Sequence, residues 1–219
     1  MIKLLLLRVL AVILLSCFSN LSHAAFVVYT APAEFTAATR APGVDTFNDL
    51  DFNGYPFSPL DRQAGVYAYT ATASTARFYV AGSVTNSWLS TDIASDTITF
   101  NGLTNGAQAI GGYFFGTEIK GLFADGALRL TATDQTGTVV QTIAAATVNS
   151  FFGFVSSNTL RSLTVSSISS DIAPLWPTVD NLTVGLRATS VSPVPEPGSL
   201  MLLLGGLGLI ALLARRRRN

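Results

Sequence analysis

The chain has 219 residues and a formal net charge of zero, from 13 basic and 13 acidic side chains. That neutrality is uneven: residues 25–192 carry seven basic and twelve acidic groups, a net charge of −5. An acidic body argues against nucleic-acid binding, because phosphate backbones are held by Lys and Arg that displace counterions.

At the N-terminus, Lys3 and Arg8 form a positive n-region and Leu4 to Leu15 an apolar h-region. Ser22-His23-Ala24 then places small residues at −3 and −1 before Ala25. This layout predicts a secretory signal peptide over residues 1–24, cut by signal peptidase between Ala24 and Ala25. Leu14-Leu15-Ser16-Cys17 is a competing, lipobox-like site at which Cys17 would be lipidated. The only cysteine, Cys17, and the only histidine, His23, both lie in this segment. Cleavage after Ala24 therefore excludes a disulfide framework, a Cys/His zinc site and any His-dependent nucleophile from the mature chain. Its stability must come from packing, and about 170 residues suffice for one well-buried core.

Residues 25–187 read as a single body made almost wholly of strands. Ala25 to Tyr29 is rich in β-formers. Thr30 to Thr39 predicts one short helix, with Thr30 at the N-cap and Pro32 in the first turn, where its missing N–H costs little. Short Val/Thr/Tyr/Phe/Ile runs follow, separated by Gly, Asn, Asp and Ser. The clearest are 65–73, 77–80, 97–100, 109–115, 127–133, 138–143, 147–155, 160–166 and 178–184. Leu128, Leu130 and Ala132 alternate with Arg129, Thr131 and Thr133, so one set faces a core and the other solvent. Asp134-Gln-Thr-Gly between two such runs signals a hairpin. The fold class expected is all-β: an antiparallel β-sandwich of jelly-roll type, with the short helix near its start.

Residues 188–198 are a Ser/Pro-rich linker ending in Pro195-Glu196-Pro197-Gly198. An uncharged apolar run, Ser199 to Ala214, follows, and then Arg215, Arg216, Arg217 and Arg218. As a helix the run is about 24 Å long at 1.5 Å per residue, short of a ~30 Å hydrocarbon core unless Arg215 snorkels. It predicts a C-terminal transmembrane helix over 199–219. The arginines act as a cytoplasmic stop and leave the body on the far side of the membrane. This tail closely resembles the PEP-CTERM sorting signal of exported Gram-negative bacterial proteins. The resemblance implies recognition by an exosortase, with processing near Pro195, Glu196 and Pro197. It further implies a place at the cell surface or outside the cell. An ordinary membrane anchor that no sorting enzyme touches is the alternative reading of the same residues.

The body holds several candidate sites. Asp49-Leu-Asp51-Phe-Asn53-Gly54 matches the opening of a calcium loop, with oxygen ligands at alternate positions and a Gly for the turn. The match fails at the twelfth position, which is Leu60 and not a bidentate Glu, so a polar surface loop is the competing reading. Asp45 and Asp61 would have to complete the ligand set. Tyr67 and Tyr69 share one face of a strand, while Trp88, Trp176 and Tyr55 fall in or beside loops. Such rings form a sugar-stacking platform when exposed and core packing when buried. Glu34 and Glu118 are the only glutamates of the body, and nothing pairs two acids as a glycosidase requires.

The runs Ala109-Ile-Gly-Gly-Tyr-Phe-Phe-Gly-Thr, Phe151-Phe-Gly-Phe-Val-Ser and Pro177-Thr-Val-Asp-Asn-Leu-Thr-Val are similar to β-sandwich bodies found upstream of PEP-CTERM tails. The sorting family is associated with exopolysaccharide and biofilm matrix. The resemblance therefore implies a non-enzymatic structural or glycan-binding role, with polysaccharide as the partner and no cofactor beyond candidate calcium. A polysaccharide hydrolase using Asp or Glu, and a self-associating surface protein, are the alternatives.

Overall fold

The computed structural model describes residues 26–168 and 173–189. The chain divides into two units, residues 1–187 and 188–219, and the strands all belong to the first. They run β1 (Phe26–Tyr29), β2 (Thr39–Asp45), β3 (Leu60–Ala64), β4 (Tyr67–Ala73), β5 (Phe78–Ser83), β6 (Asn86–Thr91) and β7 (Thr97–Asn101). There follow β8 (Ala109–Thr117), β9 (Phe123–Ala124), β10 (Gly126–Asp134), β11 (Thr138–Ala146), β12 (Phe151–Ser156), β13 (Leu160–Ile168) and β14 (Trp176–Arg187). One helix, α1 (Pro32–Ala37), interrupts the run after β1.

Two antiparallel sheets result. Sheet I has the order β1-β12-β8-β14-β6-β5, with β2 beside β14 and β9 beside β8. Sheet II has the order β11-β10-β13-β7-β4-β3. The inner faces share one core: Ile110, Phe114, Phe154 and Val179 from sheet I meet Tyr69, Phe100, Leu130 and Leu163 from sheet II. Each such large apolar side chain contributes about 1.5–3 kcal/mol on leaving water. The alternation read in β10 holds, with Leu128, Leu130 and Ala132 fully buried and Arg129 exposed. The Asp134 turn joins β10 to β11 as a hairpin, and the Asp134 carboxylate accepts the N–H groups of Thr136 and Gly137.

Four strands depart from the sequence reading: β2, β3, β6 and β9. Strand β2 contains Pro42 and Gly43, poor strand formers, yet it survives because it pairs on one side only, with β14. Strand β3 is a polar edge strand. Helix α1 is shorter than expected, and its N-cap is Ala31, without a side-chain cap, not Thr30. What holds α1 is packing. The Phe35 ring lies 5.4 Å from that of Phe151 and presses on Gly153, where a Cβ would sit 2.2 Å from Phe35 Cδ2. The expected helix over 199–219 lies outside the described residues. Among the described ones, no helix is long and apolar enough to cross a membrane.

Candidate functional site

The outer face of sheet I carries a cleft of 490 Å³. Its floor is built by β8, β14 and β6, which lie side by side. Along β14, Trp176, Thr178 and Asp180 point outward while Pro177 and Val179 point inward, as period-two geometry requires. Asp180 pairs with Tyr113 of β8. On the other flank Thr178 pairs with Ser90 and Val179 with Leu89, so one more step along that register brings Asp180 toward Trp88. With neighbouring strands ~4.8 Å apart, Trp88 and Tyr113 stand roughly 10 Å apart with Asp180 between them.

The rings are braced. Trp88 meets Phe115 edge-to-face at 4.9 Å and 86°. Tyr113 meets Phe151 in the same manner at 5.6 Å and 74°. Such pairs contribute about 0.5–1.5 kcal/mol beyond burial. Trp88 also lies against Gly82, whose φ of +92° no side-chain-bearing residue adopts readily and whose Cβ would come within 2.9 Å of the indole.

A β-bulge completes the polar side of the cleft. The ladder pairs Asp180 with Tyr113 but Thr183 with Gly111, so β14 has one residue more than β8 over this step. Asn181 absorbs the extra length with a φ of +52°, a left-handed conformation that Asn tolerates. Consecutive residues Asp180 and Asn181 consequently line the same cleft. Asn86 and Asn149 bring two further amides.

Asp180 is the unusual group. It is 8% exposed, and its Oδ1 is buried with no hydrogen-bond partner among the described residues. Burial pushes its carboxyl up to about 6, against the opposing pull of the Asn181 backbone and the Asn86 amide. A buried acceptor without a donor costs about 1–3 kcal/mol, more when charged, and a ligand hydroxyl placed there would recover it.

The other sequence candidates are scattered. Tyr67 and Tyr69 lie in the core, 1% and 3% exposed, facing sheet I and not solvent. Their hydroxyls donate to Ala41 O and to Asp45 Oδ2. They are packing residues, as alternation on a sandwich strand allows but cannot assign. Trp88 sits within β6, not in a loop, and in the cleft; Trp176 begins β14 and lines a different one.

The calcium ligands do not converge. Asp49 turns instead to Arg62, accepting at 2.6 and 2.8 Å, while Asp45 accepts from the same guanidinium at 2.6 and 2.9 Å. Arg62 thus occupies the space between the carboxylates. Burial alone would lower its pKa, but the Asp49 and Asp45 hydrogen bonds raise it above the usual arginine value. Asp51 is exposed, and its backbone carbonyl accepts the Gly54 N–H. Asn53 Oδ1 accepts from the Tyr79 hydroxyl at 2.6 Å. Among the described residues no group of three acidic, Cys or His side chains is disposed to hold a metal ion. Ala24, Ala25, Pro195, Glu196, Pro197 and Arg215 to Arg218 lie outside the described residues.

Residues 193–218 match the family model described as the PEP-CTERM protein-sorting motif. The chain carries a PEP-CTERM sorting tail. Such a tail marks an exported, surface-sorted protein. No curated protein sequence matches this chain. Among solved structures, its body is similar to the CBM22-1 xylan-binding domain of Paenibacillus barcinonensis Xyn10C, at 20% identity and a TM-score of 0.33, over 70% of this chain and 98% of that one. The N-terminal CBM22-1-CBM22-2 tandem of the same Xyn10C is similar at 18% identity and a TM-score of 0.31, over 70% of this chain and 47% of that one.

Proposed function

We propose that the body is a glycan-binding domain, and that the cleft on the outer face of sheet I receives a neutral saccharide. The observation that carries this reading is the buried Asp180 acceptor set between the rings of Trp88 and Tyr113 and ringed by Asn86, Asn149 and Asn181. A pyranose offers an apolar face for the rings and equatorial hydroxyls for the carboxylate and amides. Asp180 is the one carboxylate among the described residues lining the cleft, which supports binding over hydrolysis, since glycosidases use two. The test is a pull-down of the full-length chain on a panel of insoluble polysaccharides, with reducing ends assayed in the supernatant. Retention without sugar release, weakened in Trp88→Ala, supports the reading; release of reducing ends would replace it with a hydrolase.

The body reaches its ligand by export. In this reading a signal peptidase cuts between Ala24 and Ala25, the apolar run 199–214 holds the chain at the membrane, and an exosortase-type enzyme processes the tail at Pro195-Glu196-Pro197. Arg215 to Arg218 keep the C-terminus on the cytoplasmic side. The mature protein then joins the exopolysaccharide or biofilm matrix. Replacing Glu196 and Pro197 should leave the tail uncut, read as intact mass in the membrane fraction.

A further inference from the structure

A second cleft, of 230 Å³, opens on the same face of sheet I. Among its lining residues is Trp176, four residues before Asp180 on β14 and so about 13 Å away at 3.3 Å per residue. The segment between β8 and β9, residues 118–122, crosses the face beside it: Gly121 reaches β5, where its carbonyl accepts the Gly82 N–H at 3.2 Å.

Three aromatic rings wall this cleft: Tyr55, Tyr79 and Trp176. Tyr55 and Tyr79 lie 5.2 Å apart, inclined at 51°. The polar ends of two of the rings are already committed. The Tyr79 hydroxyl donates to Asn53 Oδ1 at 2.6 Å, and Trp176 Nε1 donates to the Asp92 carbonyl at 3.2 Å. What these two rings leave for a ligand is carbon and π-face.

Two carboxylates, Asp92 and Glu118, line the same space. Neither belongs to an ion pair among the described residues, where both pairs are made by Arg62. Glu118 Oε1 accepts the N–H groups of Lys120 and Leu122, which fixes the side chain in place. The ammonium of Lys120 is not among the groups lining the cleft. Burial, with Tyr55 and then Glu118 beside it, pushes the Tyr79 hydroxyl up.

Aromatic faces beside carboxylates that are unpaired among the described residues, with no Lys or Arg among those lining the cleft, attract a cation and offer little to an anion. The volume lies below the ~300–1,000 Å³ of sites for drug-sized ligands, so the occupant is one small group. We propose that this second cleft binds a protonated or quaternary amine on a compact body, the chemistry shared by a de-acetylated amino sugar and a choline-type headgroup. The site is separate from the neutral-sugar cleft around Asp180 and does not depend on it.

The test is calorimetric titration of the full-length chain, purified in mild detergent, with glucosamine, N-acetylglucosamine, glucose and choline. Glucosamine or choline should bind at least about tenfold more tightly than the neutral sugars at this site. Glu118→Gln keeps the acceptor for the turn but removes the charge, and should lose most of that preference. Tyr55→Ala, at a half-exposed position that leaves the core intact, should weaken binding about tenfold. Trp88→Ala should leave amine binding unchanged. Binding of glucosamine alone names an amino sugar, and binding of choline alone names a headgroup; both support the proposal. Absence of amine binding, equal binding of neutral sugars in the Trp88→Ala chain, indifference to Glu118→Gln and Tyr55→Ala, or loss of amine binding in Trp88→Ala would each overturn it.

Discussion

Asp180 of β14 is the register partner of Tyr113 on β8, and immediately beyond this pair the ladder slips by one residue. The slip turns a sheet face into a site. On an unbroken strand Asn181 would point into the core; with the bulge it stands beside Asp180 in the cleft. Among the described residues Asp180 Oδ1 has no donor, a local cost to stability, and under the proposed function it is the acceptor offered to a ligand.

That cost has a pH signature. The Asp180 carboxyl is raised from 3.8 to about 6. Between about pH 4 and pH 6 the folded chain therefore keeps a proton that the unfolded chain releases, and the Asp180 contribution makes the fold less stable as pH rises through that window. Asp180→Asn removes this. It should leave stability nearly unchanged near pH 4 and raise it by up to about 3 kcal/mol at pH 7. Urea unfolding at the two pH values measures both, and an equal effect at each would refute the account. The same variant should bind glycan more weakly.

Trp88→Ala should cost at least about tenfold in glycan affinity, or ~1.4 kcal/mol. Because Trp88 also braces Phe115 at 4.9 Å, the variant should lose about 2–4 kcal/mol of stability. Trp88→Phe should recover much of that stability and less of the binding. Titration with the polysaccharide selected in the pull-down separates the two effects.

Arg62 is the counter-ion of a buried acid. Its guanidinium and the Tyr69 hydroxyl are the side-chain donors to Asp45, which is 5% exposed. Arg62→Met should destabilise the fold by about 3–5 kcal/mol by leaving Asp45 without its charge partner. Asp49→Asn should cost under about 1 kcal/mol, because the Asp49 side chain is 69% exposed. Millimolar calcium should not move the melting midpoint of the wild-type chain, since Arg62 already fills the space between the two carboxylates. A calcium-dependent rise in the midpoint would contradict this.

Asp134 acts with the opposite sign to Asp180. Burial pushes its carboxyl up, but the Ser156 hydroxyl and the Thr136 and Gly137 N–H groups outweigh burial and hold it at about 2. Its contribution is present in full above about pH 4 and is lost as pH falls toward 2. Asp134→Ala should cost about 2 kcal/mol more at pH 7 than below pH ~2, where the wild-type carboxyl is itself protonated. Thermal melts across that range give the difference directly.

Local chemistry already present in the chain was enough for much of this protein. The tail shows in Pro195-Glu196-Pro197, the apolar run and Arg215 to Arg218 because an address is a linear string, read without folding. Most strands show in their β-branched and aromatic runs, since period two is a property of the backbone. Strands β2 and β6 do not, because partners and not propensity hold them: β14 accepts Pro42 at its edge, and β5 and β14 flank polar β6.

The site was beyond that reach. Tyr67, Tyr69, Trp88 and Trp176 are alike as sugar-stacking candidates in the sequence, yet two face the core and two face solvent. Asp49 and Asp51 look like cation ligands until Arg62, thirteen residues beyond Asp49, supplies the cation. Asp180 and Asn181 become neighbours in one cleft only because a bulge shifts β14 against β8. Which face a side chain takes, and which charge meets it, are set by strand partners distant in the chain, and those exist only once the two sheets have closed on their core.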